Sequence, residues 1–117
     1  MANTLTLNEV RRGRKQFTGF FASDMWTVKA TWADQDAIDA NDTLTVTMAV
    51  PGVELGDMVV GVSCSKDLSD GSDQAVLTAH VTDSNKVDIY IQADKGEFAA
   101  DAINDAVIRT LVARPDW

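Results

Sequence analysis

Thr43-Leu44-Thr45-Val46-Thr47-Met48-Ala49-Val50-Pro51-Gly52-Val53 is the stretch that decides the fold. Leu44, Val46, Met48 and Val50 alternate with Thr43, Thr45, Thr47 and Ala49, so an extended chain here has one apolar face and one wet face. β-Branched residues suit such a half-buried pleated surface and lose side-chain freedom in a helix. The alternation ends at Pro51-Gly52, where proline pre-sets its own φ and glycine accepts the positive φ of a type II turn. The stretch predicts a strand that stops at a tight turn.

The same period of two recurs on both sides. Val28, Ala30 and Trp32 share a face, Met58 to Cys64 is a β-branched run, and residues 75–82 and 87–91 alternate again, with Val87, Ile89 and Ile91 turned inward. Asp83-Ser84-Asn85-Lys86 joins the last two runs through residues that tolerate tight turns, a hairpin signal. Residues 106–113 fit a strand or a helix by pattern, and their β-branched content favours a strand. The acidic stretches 33–42 and 96–105 read as loops, each holding a buried Ile38 or Phe98. Six short strands with polar connections predict an all-β fold, a small antiparallel β-sandwich or barrel-like domain over residues 27–117. Residues 1–26 read as an extended N-terminal arm. Because the core alternation starts near Val28, removing residues 1–15 is expected to leave the body folded.

At 117 residues the chain makes one domain, long enough to bury about two-thirds of its surface. No run approaches the length of a membrane-spanning helix, and residues 1–20 lack the apolar core of a secretory signal, so neither is expected. A single Cys64 and a single His80 exclude an internal disulfide and a Cys/His zinc site. The net charge of −8 is unevenly spread. Residues 1–30 hold Arg11, Arg12, Arg14, Lys15 and Lys29 against Glu9 and Asp24, a net +3, while residues 31–117 carry −11. An acidic body repels phosphate backbones, so no nucleic-acid partner is expected for it, whereas the basic run Arg11-Arg12-Gly13-Arg14-Lys15 reads either as a solvated, mobile arm or as a docking device for an anionic protein surface or a polyanion.

Catalytic chemistry is hard to find. His80 lies within an alternating strand, opposite in face to Ala79 and Val81, and reads as a surface histidine. Cys64 has no base beside it and reads as a small hydrophobe. Asp67, Asp70 and Asp73 bring hard oxygen ligands near Gly71, but their spacing departs from a calcium-binding EF-hand loop. Asp34, Asp36, Asp39 and Asp42 read the same way, as solvated turns. No metal, cofactor or enzymatic activity is expected. Interface residues are the better candidates: Leu5, Leu7, Val10, Phe17, Phe20, Phe21 and Trp26 as apolar anchors, with Arg11, Arg12, Arg14 and Lys15 as charged contacts; the equal alternative is that the arm folds back and covers an open end of the sandwich in cis.

The run Ala49-Val50-Pro51-Gly52-Val53-Glu54-Leu55-Gly56-Asp57-Met58-Val59-Val60, followed by Leu77-Thr78-Ala79-His80-Val81-Thr82-Asp83-Ser84-Asn85-Lys86-Val87-Asp88-Ile89, resembles the small β-sandwich decoration proteins of tailed-bacteriophage heads. In that family a V-P-G-A-x-L-G-D-x-V turn follows an alternating strand, and L-x-A-x-V-T-x-x-x-x-V-x-V forms the next hairpin. The likeness spans residues 27–113, and it departs at Gln92-Ala93-Asp94-Lys95-Gly96, where the family carries an Asn-x-Thr-Gly step. The resemblance implies a capsid cement protein on the outer surface of the virion, bound to the major capsid protein at local symmetry axes and self-associated as a homotrimer. The alternative is a virion-surface host-recognition or carbohydrate-binding module using Trp26, Trp32, Tyr90 or Trp117 as sugar platforms.

Overall fold

The computed structural model describes residues 4–13, 22–70 and 73–115. Their regular structure is entirely extended: β1 (Thr4–Gly13), β2 (Ala22–Ala33), β3 (Thr43–Ala49), β4 (Met58–Cys64), β5 (Ser69–Asp70), β6 (Asp73–Asp83), β7 (Lys86–Lys95) and β8 (Val107–Pro115). Antiparallel pairing arranges them in two four-stranded sheets, β1-β2-β8-β4 and β3-β7-β6-β5. The sheets stack with β1 against β3 and β4 against β6. The expected all-β sandwich is the observed architecture, and residues 106–113 resolve as the strand β8, bonded on both sides.

Alternation in the sequence becomes the two sides of each sheet. Trp26, Val28, Ala30 and Trp32 of β2 and Ile108 and Val112 of β8 are buried against Val87, Ile89, Ile91 and Ala93 of β7. Each large side chain withdrawn from water contributes roughly 1.5–3 kcal/mol, so these inner faces carry most of the driving force. The predicted turns are present. Gly52 has φ +96°, as the Pro51-Gly52 pair requires, and Asn85 has φ 64° at the tip of the β6–β7 hairpin. The two acidic loops meet through a β-bridge between Ile38 and Phe98, both buried, and through hydrogen bonds of Gln35 with Ala99, Asp101, Ile103 and Asn104.

The N-terminal arm is corrected. Residues 4–13 form the edge strand β1, in register with β2 from Thr4 opposite Ala33 to Gly13 opposite Met25. A register shift between Leu7 and Glu9 hid this strand from periodicity, because it moves the inward positions from odd (Leu5, Leu7) to even (Val10, Arg12). The expected division after residue 26 falls inside β2. With Leu5 and Val10 packed on the core, loss of residues 1–15 would strip a paired strand from β2 rather than leave the body intact.

Candidate functional site

Among the described residues β1 pairs on one side only, with β2, leaving an open edge with two kinds of face. Leu5, Leu7, Val10 and Arg12 lie opposite Trp32, Ala30, Val28 and Trp26 and share their inward side, while Glu9 and Arg11 lie opposite Lys29 and Thr27 and point outward. Leu5 and Val10 are half-buried against the core, and Leu7, facing the small Ala30, stays 37% exposed. Arg11 stands in solvent and bonds Glu9 at 3.0 Å. Of the expected contact residues, Leu7, Arg11 and Arg12 are therefore the described ones that reach the surface. Arg14, Lys15, Phe17, Phe20 and Phe21 lie outside the described residues.

Trp26 is corrected as a contact residue: it is fully buried and closes one end of the sandwich. Its indole Nε1 donates to the Pro51 carbonyl at 3.0 Å. The Arg12 guanidinium lies 4.9 Å from the ring centroid and that of Arg114 lies 5.1 Å from it, so two cations are within cation–π reach of one ring. Arg114 grips Asp57 through two 2.9 Å bonds, from Nε and Nη2, and donates to the Gly52 carbonyl at 2.8 Å. Hydrogen bonding to Asp57 raises the Arg114 pKa above its ordinary value, against the opposing effect of burial. Arg12 pairs with Asp24 at 2.8 Å. Asn85 ties the turn to the hairpin: its Oδ1 accepts from Gly52 N–H at 2.8 Å, and its backbone exchanges bonds with Val50 and Val53. Gly52 is favoured here by its positive φ, and a Cβ would also displace the Arg12 guanidinium, whose Nη1 it would meet at 2.5 Å.

The outer face of the second sheet holds the polar groups nearest to a recognition surface. Thr47 and His80 lie on either side of Asp88 in register, and Thr45 and Thr78 flank Tyr90. Thr47 donates to Asp88 at 2.6 Å, Tyr90 reaches the other carboxylate oxygen at 3.4 Å, and the His80 and Tyr90 rings stand 5.4 Å apart. Desolvation, then the Asp88 charge, raises the Tyr90 pKa above its ordinary 10.0. Thr43, Val76 and Gln92 complete a shallow groove of about 250 Å³ beside them. Trp32, like Trp26, is buried and is no sugar platform, while Trp117 lies outside the described residues. The missed residue was Asp88. Its outward parity beside Tyr90 and Gln92 was legible, but its partner Thr47 comes from a strand more than forty positions away, as the register of β3 with β7 shows.

His80 is exposed on this face, and Cys64 is half-buried against the core. Among the described residues no three of His, Cys, Asp and Glu converge as a metal-binding set. No protein-family profile, curated protein or solved structure matches the chain.

Proposed function

We propose that this protein is a non-enzymatic structural component of a tailed-phage virion that binds the outer surface of the assembled capsid at local symmetry axes and stabilises the shell. The observation that carries the reading is the edge strand β1: a paired but open-sided strand that presents Leu7 and Arg11 to solvent on a body of net −11 over residues 31–117. Its unpaired backbone edge and its cations suit an acidic neighbour, here the major capsid protein, with self-association as a homotrimer completing the site. A protein that binds only the assembled lattice stabilises it by mass action, and repetition over the shell multiplies weak contacts. No cofactor enters this mechanism.

Co-sedimentation with expanded, DNA-free heads and with unassembled capsid subunits tests the reading. Binding to heads alone, weakened by a combined Arg11→Glu and Arg14→Glu change and less salt-dependent in that variant, is the expected result. Failure to bind heads, or equal binding to free subunits, rejects it.

A second reading, host recognition through a glycan, rests on Tyr90 and the groove beside it. Saturable glycan binding by the isolated protein, abolished by Tyr90→Ala, would favour it over the first.

A further inference from the structure

The outer face of the first sheet carries a second, larger groove of about 510 Å³, crossing β2, β8 and β4 and reaching Glu9 of β1. Lys29 of β2 lies directly opposite Arg109 of β8, and both line this groove. Like charges at directly opposed cross-strand positions destabilise a sheet. Neither cation makes a salt bridge with another described residue, and the nearest carboxylate, Glu9 opposite Lys29, is bonded to Arg11 instead. A protein with eighteen acids thus places two cations side by side in a groove whose one lining carboxylate, Glu9, is bonded to Arg11.

One register step along the strands, the groove changes character. Gly61 of β4 lies opposite Leu111 of β8, and the irregularity between Val59 and Gly61 leaves Val60 56% exposed. Gly61 is not held to glycine by a positive φ or by crowding, since a Cβ there would meet nothing within 4 Å. Glycine inside a strand forfeits β propensity and marks a bulge, as at this irregularity, or a place where a ligand or another backbone comes close. The open floor at Gly61 and the unpaired cations at Lys29 and Arg109 therefore point to one occupant.

We propose that this groove binds an extended peptide segment of a partner protein, with an acidic residue held by Lys29 and Arg109 and an apolar residue two positions along lying over Gly61 beside Leu111. The Arg109 and Leu111 rows are two residues apart on β8, a distance of ~7 Å, which is also the spacing of same-side residues in an extended peptide. An acidic-x-apolar pattern matches the groove's charge and its floor at once. The site borders β1 through Glu9 and does not depend on shell binding.

The probe is a fluorescein-labelled, capped heptapeptide of serine and threonine with aspartate at position three and leucine at position five, titrated against the full chain by fluorescence anisotropy. Saturable binding is expected, lost at least ten-fold when asparagine replaces the aspartate and at least ten-fold in Gly61→Val, whose added side chain fills the floor while raising strand propensity. Arg109→Gln gives an independent arm, with a comparable loss and a shallower salt dependence. Circular dichroism and the thermal midpoint of each variant establish that the fold is retained. Undiminished binding by either folded variant, equal affinity for the asparagine peptide, or no binding by the wild-type chain overturns the proposal. Tighter binding of octanoate than of the peptide overturns it too, in favour of an acyl carboxylate ligand.

Discussion

The two ends of the sandwich are closed by different chemistries. At one end the guanidinium groups of Arg12 and Arg114 both lie against the Trp26 ring, and the nearby turn is held by Asp57 and Asn85. At the other, the side chain of Gln35, 1% exposed, gathers both acidic loops: its Nε2 donates to the Asp36 and Ala99 carbonyls at 2.9 Å each, and its Oε1 accepts from Ile103 N–H at 3.1 Å. Its backbone is held as well, by Asn104 and Asp101. The first end is ionic and partly wet, with the Arg12 side chain 47% and the Arg114 side chain 25% exposed. The second is neutral and dry. A charged closure can be weakened by salt, whereas an amide closure responds only to loss of its bonds.

Replacing Gln35 by leucine breaks the dry end most severely. It removes the partners of the Ala99 carbonyl and the buried Ile103 N–H, for an expected loss of about 2–4 kcal/mol in urea denaturation. That loss should be the same at low and high salt, and a clear salt dependence would merge the two ends into one class. Arg114→Ala comes next. It leaves the Asp57 carboxylate, 4% exposed, with only the Glu54 N–H at 2.8 Å, at an expected cost of about 3 kcal/mol. Arg12→Ala should cost much less, about 0.5 kcal/mol and fading in salt, because its pair with Asp24 is open to water. Equal losses at Arg12 and Arg114 would mean that stacking on Trp26, common to both, outweighs the ion pairs.

The smallest effect belongs to the outer face of the second sheet, which is neither dry nor firmly ion-paired. Tyr90 is the only tyrosine, so its phenolate absorbance reports one group. Its midpoint should lie above the ordinary 10.0, and Asp88→Asn should lower it toward that value without abolishing the shift, since desolvation is the larger cause. Because the folded state holds this proton more tightly than the unfolded chain, Tyr90 lowers stability as pH rises through the interval between the two values and has no effect below it. An unchanged midpoint in Asp88→Asn would remove the carboxylate from this cluster.

How legible all this was depended on how local the signal was. The Pro51-Gly52 turn, the hairpin at Asn85 and the inward faces of β2, β3 and β7 were readable because each is set by residues within a few positions. Ile38 and Phe98 were readable as lone apolar residues in acidic loops. β1 was not, since one inserted residue at Asn8 reverses the parity and makes a strand look like an arm. Trp26 looked like an exposed anchor only because that arm seemed to extend through it. The cross-strand meeting of Lys29 with Arg109 was also illegible, because eighty positions separate them and only the pairing of β2 with β8 brings them together.

That pairing governs the order in which the molecule can assemble. β8 is the last of the eight strands in chain order, yet it is the only hydrogen-bonded link between β2 and β4 among the described residues. The β6–β7 hairpin closes over a two-residue tip and can nucleate early, whereas the first sheet stays divided into two halves until its furthest segment arrives. Until then the edges of β2 and β4 are unpaired and open to capture by other chains. Folding should therefore be rate-limited by a long-range closure, and substitutions along β8 should slow refolding more than equally buried substitutions in β7.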